Sequence, residues 1–272
     1  MPEYILRAII GIILISVNAS VMGSFVVFRG TAFMVAGASH AALAGAAFAV
    51  LLSVNYGINF DPMLGALLSA LALALLSAHS TGPFSREKMN INIGVGFALS
   101  MSLALLIITM IREASSRVWS LLVGDILLLT SKDLVQILLM TIVSLVIVAV
   151  LYNDLIFLSF DPESALAYGI RAGALNYLLL ALISVAVVIV MRGVGAILVY
   201  AMLVAPAATA NEIAKNVHGV FLIAFLASAV AGLSAIALSY IFPASPGALS
   251  ALLVSVMYVI VLMARGVGRV GA

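Results

Sequence analysis

Long apolar runs broken by short polar intervals govern this chain from end to end. A membrane-spanning helix needs about 20 apolar residues. Nine segments come near that length: Ile5 to Phe28, Phe33 to Ser53, Pro62 to Ala78, Ile91 to Ile111, Leu134 to Leu151, Leu175 to Met191, Val194 to Ala210, Val220 to Ile241 and Ala248 to Ala264. Little more than Arg192-Gly193 separates the sixth from the seventh, so one of that pair is expected to be short or broken. The pattern predicts an all-α integral membrane protein, a polytopic bundle of 8–9 transmembrane helices in which residues 1–272 form a single domain. Asp61-Pro62 is a sharp helix start, a capping carboxylate followed by proline at the first helical position.

The second run is the one on which the others are expected to pack. Arg29 to Ala47 reads RGTAFMVAGASHAALAGAA and is built almost wholly of small side chains. Gly37, Ala41 and Gly45 recur every four residues and therefore share one helix face. Small residues let neighbouring helix backbones come close, and a stripe of them marks a central, tightly packed helix. His40, with Ser39 beside it, sits in the middle. An ionisable group inside a membrane helix is a functional candidate by default, although a packed histidine hydrogen-bonded to a neighbouring helix reads the same way. Ser39 reads as a packing residue.

Three polar intervals add to this. Residues 79–90 form a polar loop. Residues 112–133 contain WSLLVGDILLL, expected to lie as a short helix at the membrane surface; Asp125 within it is a candidate for a gate or a solvated charge. Residues 152–172 carry helix signals of their own: Asp161 can cap, Pro162 suits the first helical position, Glu163 suits the positive helix end, and Gly169 can end the helix. A surface helix of about two turns is predicted near 161–170. Pro206 lies inside the seventh run, where it removes a backbone hydrogen bond and is a candidate kink. Asn18 in the first run is expected to make a structural hydrogen bond.

Composition agrees. The 272 residues are 65% hydrophobic and 8% charged, against about 25% charged in soluble domains. Twelve basic and ten acidic residues form no polybasic tract, so nucleic-acid binding is not indicated. The absence of cysteine excludes disulfides and thiolate chemistry. No G-x-x-x-x-G-K-S/T phosphate loop is present, so ATP hydrolysis would have to reside on another subunit. Adjacent residues on a helix point about 100° apart, which argues against Ser39 and His40 as a proteolytic dyad. With the amino terminus outside and nine spans, seven basic residues fall inside (Arg29, Arg86, Lys88, Arg171, Lys215, Arg265, Arg269) and five outside. That direction agrees with the positive-inside rule and puts the carboxyl terminus in the cytoplasm of a plasma-membrane protein.

Five ordered motifs carry a family resemblance. GSFVVFRGTAFMVAGASHAALAG at 23–45, LVGDILLLTSKDL at 122–134, SFDPESALAYG at 159–169, VGAILVYAMLVAPAATA at 194–210 and PASPGALSALLV at 243–254 resemble, in sequence, the membrane permease of zinc and manganese ABC importers. The resemblance implies a type II importer-like fold. It implies a homodimer of this chain, two ATP-binding cassette subunits, an extracytoplasmic solute-binding protein and a surrounding lipid bilayer. No cofactor would be held permanently; a divalent metal ion would be the cargo and ATP would act through the partner subunit. The helix near 161–170, with Asp161, Pro162, Glu163, Ala165 and Gly169, would be the coupling helix that docks on the ATPase. In the family pattern an aspartate precedes the histidine by four residues and shares its helix face; here that position is Ala36, and the family's proline is Ala44. His40 and Ser39 are the residues this implies for the translocation path. The missing carboxylate keeps open a metal chelate or other small substrate. An ATP-independent secondary transporter is a further alternative, but it would need ionisable residues in several spans.

Overall fold

The computed structural model describes residues 3–81, 86–111, 122 and 124–270. Among these there is no strand. The helices are α1 (Glu3–Arg29), α2 (Ala32–Tyr56), α3 (Pro62–Thr81), α4 (Arg86–Met110), α5 (Ser131–Val150), α6 (Tyr152–Phe160), α7 (Pro162–Ala167), α8 (Ala172–Val194), α9 (Val199–Ile213), α10 (Val217–Leu238) and α11 (Pro246–Val270). Eight of them are long and apolar enough to cross a membrane.

Contacts between distant helices define two ends of the bundle. At one end Arg192 of α8 pairs with Asp133 of α5, and Lys132 pairs with Asp61 just before α3. At the other end Arg29 closes α1 against α6 and α8, His79 of α3 meets Tyr177 of α8, and Arg265 of α11 meets Glu212 of α9. We call these the Asp133 end and the Arg29 end. Between them α1 to α5 and α8 to α11 run in alternating directions, so these nine helices among the described residues leave residues 3 and 270 at opposite ends. The short helices α6 and α7 both lie at the Arg29 end.

The choice between eight and nine spans therefore resolves into eight full-length helices and one short one. α9 has 15 residues, about 22 Å at 1.5 Å per residue. Its start is set by Gly195, which ends α8 with φ 87°, and by the turn at 195–198. Pro206 lies buried inside α9, which stays helical on both sides of it.

The surface helix expected before α5 falls largely outside the described residues. Residues 112–121 and 123 lie outside the described residues, but 124–130 do not lie flat at the surface. They form a short 3-10 turn, Ile126–Leu128, whose Ile126 and Leu129 are buried with Leu122. Leu129 and Ile126 reach the Gly11 level of α1, and Ile126 packs beside Gly193 of α8. Irregular backbone is tolerated at such depth only when protein surrounds it. Here the Asp125 carboxylate accepts from Leu127 N–H at 2.9 Å, and Ile197 N–H donates to the Leu122 carbonyl at 3.3 Å.

α1, α2 and α8 are the most buried spans, whereas α4, α5 and α11 are peripheral. α2 packs on α3 and α4, with α8 lying between this group and α1, α9, α10 and α11. The small face of α2 explains how closely this is done. A methyl group added at Gly45 would run into the Gly65 carbonyl of α3, and one at Gly65 would run into the Gly45 carbonyl. Ser69 Oγ of α3 donates to the Ala41 carbonyl at 2.6 Å, and Gly37 faces Ile93 of α4 and Leu73 of α3. Asn18, expected to make a structural hydrogen bond, is fully buried with neither side-chain atom paired.

The α2–α3 crossing gives a direct test. Gly45→Leu should cost about 3 kcal/mol through overpacking and lower the melting temperature in detergent. Gly173→Ala, where nothing lies within 4 Å of the new methyl, should leave it unchanged or raise it.

Candidate functional site

Three features bear on function, one at each end of the bundle and one on α2 between them.

At the Asp133 end a cavity of about 540 Å³ opens between α2, α3, α5 and α8, lined by Val50 and Ser53 of α2 and by Asp61, Lys132, Asp133, Gln136 and Arg192. Its charges are paired. Lys132 Nζ lies 2.7 Å from Asp61 Oδ2, and Gln136 Nε2 donates to the same oxygen at 3.3 Å. Asp61 Oδ1 also accepts from Met63 N–H at 2.9 Å, as the capping carboxylate of α3 should. Burial pushes the Asp61 carboxyl upward, but the Lys132 ammonium and the Met63 and Gln136 donors together hold it below the ordinary carboxylate range. A carboxyl lowered on folding stabilises the fold above its unfolded value and loses that contribution as pH falls through the folded one. The α3–α5 tie is therefore intact at neutral pH.

Asp133 is buried and more fully engaged. It closes a capping box with Thr130, whose Oγ1 donates to Asp133 Oδ2 at 2.7 Å while Asp133 N–H donates to Thr130 Oγ1 at 3.2 Å. Its other oxygen accepts from Arg192 Nε at 2.8 Å and lies 2.7 Å from Arg192 Nη2. None of these cavity residues was singled out from sequence as a site, apart from the Asp61 cap. Each pair joins positions about 60 to 70 residues apart, a separation at which local pattern carries no signal.

On α2, His40 is half-buried and stands edge-on to Phe97 of α4, with ring centroids 4.6 Å apart. Its Nδ1 is buried and makes no hydrogen bond. No group of three or more His, Asp or Glu side chains gathers among the described residues, so His40 belongs to no such cluster there. Ser39 is buried and donates to the Ala36 carbonyl at 2.9 Å. Six residues separate His40 from Ala46, the nearest cavity-lining residue of α2; at 100° per residue that is about 120° around the helix. The structure does not bring His40 and the cavity together. Instead His40 shares a face with Phe33 and Ala36, and Phe48 is exposed further along.

At the Arg29 end, the helix predicted near 161–170 is shorter than expected. α7 spans Pro162–Ala167, with Asp161 as its cap and Pro162 at its first position. Asp161 Oδ1 accepts from Ser164 N–H at 3.0 Å, and the Ser164 donors hold the Asp161 carboxyl below its ordinary range. The chain turns out at Gly169 with φ 84°, a left-handed conformation suited to glycine. Ala165 is fully buried and seats the helix, while Phe160, Glu163, Leu166 and Tyr168 are exposed. The result is a small, rigid, mostly apolar knob. α6, which precedes it, was not expected from sequence.

Comparison with known proteins gives this arrangement a context. The model of the ABC 3 transport family matches residues 1–265. The manganese transport system membrane protein MntC of Listeria monocytogenes is 29% identical over 261 residues, covering 96% of this chain and 90% of that protein. The manganese import system permease protein ScaB of Streptococcus gordonii is 28% identical over 245 residues, covering 90% and 85%. Among solved structures, PsaBC from Streptococcus pneumoniae in complex with Fab superposes with a TM-score of 0.81 at 27% identity, covering 95% of this chain and 91% of that one.

The buried and exposed ion pairs should separate in a stability measurement. Asp133→Ala leaves Arg192 without its partner and removes the side-chain half of the α5 capping box, and should cost about 3 kcal/mol. Lys132→Ala, at a side chain 73% exposed, should cost under about 1 kcal/mol. Thermal unfolding of the purified chain reads both.

Proposed function

We propose that this chain, which belongs to the ABC 3 transport family, is the membrane permease of an ATP-driven, binding-protein-dependent importer. Its cargo is a divalent metal ion, with manganese ahead of zinc because the relatives above carry manganese in their names. The observation that carries the reading is the α7 knob at the Arg29 end. A capped six-residue helix with exposed Leu166 and Tyr168 is a shape that fits a groove on a separate ATPase subunit. The permease itself performs no hydrolysis.

The remaining partners follow from the uncovered faces. A second copy of the chain covers the Phe33, Ala36, His40 and Phe48 side of α2. A two-fold interface of this kind presents the same patch twice. An extracytoplasmic solute-binding protein sits over the cavity at the Asp133 end and delivers the ion. Imidazole suits manganese and zinc, and His40 is its contact point on the route. Ala36 favours a second reading. With an apolar side chain where a carboxylate would share the His40 face, and with the cavity charges balanced, a cargo whose charge is already masked by a chelator also fits.

Two measurements test this. In proteoliposomes holding the permease, its ATPase and its binding protein, ATP-dependent uptake of manganese is expected, and His40→Ala should reduce it by about tenfold or more. Unchanged uptake and metal preference would take His40 off the route, and uptake of a chelate alone would favour the second reading. For docking, Leu166→Asp with Tyr168→Asp should abolish co-purification of the ATPase; normal recovery would sink the role of α7.

A further inference from the structure

Arg29, counted from sequence only among the basic residues on the inner side, is buried at the end of α1. Its Nη1 donates to the Leu158 carbonyl at 2.9 Å and its Nη2 donates to Asn176 Oδ1 at 2.6 Å. The first bond has a local cause. In a continuous helix the Leu158 carbonyl would accept from the residue four positions later, which is Pro162 and has no N–H. Asp161 N–H is already used by the Phe157 carbonyl. The proline that starts α7 thus strips the last turn of α6 of a donor, and α1 supplies one across the interface.

The two acceptors flank α7 on either side. Leu158 is in the last turn of α6, four residues before Pro162; Asn176 is in α8, nine residues after Ala167. One guanidinium therefore grips both arms of the segment that presents the knob. Its own helix then runs the length of the bundle. Gly11 of α1 packs against Leu129 and Leu134, and Ile15 packs against Gly193, at the Asp133 end. A planar guanidinium can hold two acceptors in fixed relative positions, which an ammonium cannot do.

We propose that Arg29 is the positioning residue that makes α7 and α1 move as one body, so that displacement of the knob by the docked ATPase is delivered to the cavity end through α1. This rests on α7 being the docking element. Rigid transfer of this kind needs a short tether and a stiff lever, and the Arg29 contacts with the 27-residue α1 provide both.

The test uses the whole complex in proteoliposomes, with manganese as the probe. Three quantities are read: ATPase recovered with the permease, ATP hydrolysed, and manganese taken up per ATP. Asn176→Ala removes one acceptor without changing charge; Arg29→Lys keeps the charge and loses the fork. Both should retain ATPase recovery and hydrolysis while manganese per ATP falls about tenfold. Asn176→Asp keeps an acceptor oxygen for Arg29 and should restore the ratio. If Arg29→Lys does not fold, Asn176→Ala with its Asn176→Asp rescue decides alone. An unchanged ratio in Asn176→Ala overturns the proposal. So does a loss of uptake that merely parallels a loss of ATPase recovery, since Arg29 would then only shape the docking element. Failure of the wild-type complex to assemble overturns the docking reading itself, and this proposal with it.

Discussion

Every backbone polar group of this chain that lies in the bilayer core must find its partner inside the protein, because no water is there. Most of the structure follows from that constraint. The spans meet it by being helices. The irregular stretch at 124–130 meets it by tucking among α1, α8 and α11, with Asp125 capping its turn. Where a proline removes a donor, as Pro162 does beneath the Leu158 carbonyl, a buried guanidinium takes its place. Charges obey the same logic: the ion pairs among the described residues gather at the two ends of the bundle and leave its middle to small and apolar side chains.

Close packing supplies the rest. α2 is held by backbone approach, Gly45 against Gly65, and by the Ser69 hydroxyl, which reaches back to the Ala41 carbonyl. His40 of α2 lies at the edge of the α4 contact, half-buried against Phe97. The same element thus joins the cavity at one end to the uncovered face below it, through different stripes of one surface.

Much of the fold was legible in the sequence. The runs of apolar residues locate the spans, Asp61-Pro62 starts α3, and Asp161-Pro162 starts α7, because each of these signals is local. The length of α7 was overestimated: Asp161 and Pro162 define its start well, but the backbone already turns at Tyr168 and leaves by Gly169. The ion pairs and the Arg29 grip were not legible, since each depends on which helices become neighbours. Arg29 did leave one trace, as a lone cation closing a long apolar run, but nothing in that pattern separates a solvated charge from a buried one. The buried 3-10 turn within the described part of that stretch was missed for a related reason. An apolar stretch that short reads alike whether it floats on the membrane or dips inward.

The balanced cavity has a consequence for how cargo arrives. Two carboxylates and two cations, each paired within 3 Å, make a set of small dipoles rather than a net charge. The field of such a set fades within a few ångströms, well short of the roughly 8 Å over which charges are felt at physiological salt. The two ion pairs that line this cavity therefore add little long-range field of their own. If the proposed function holds, concentrating the ion falls to the partner seated over this cavity.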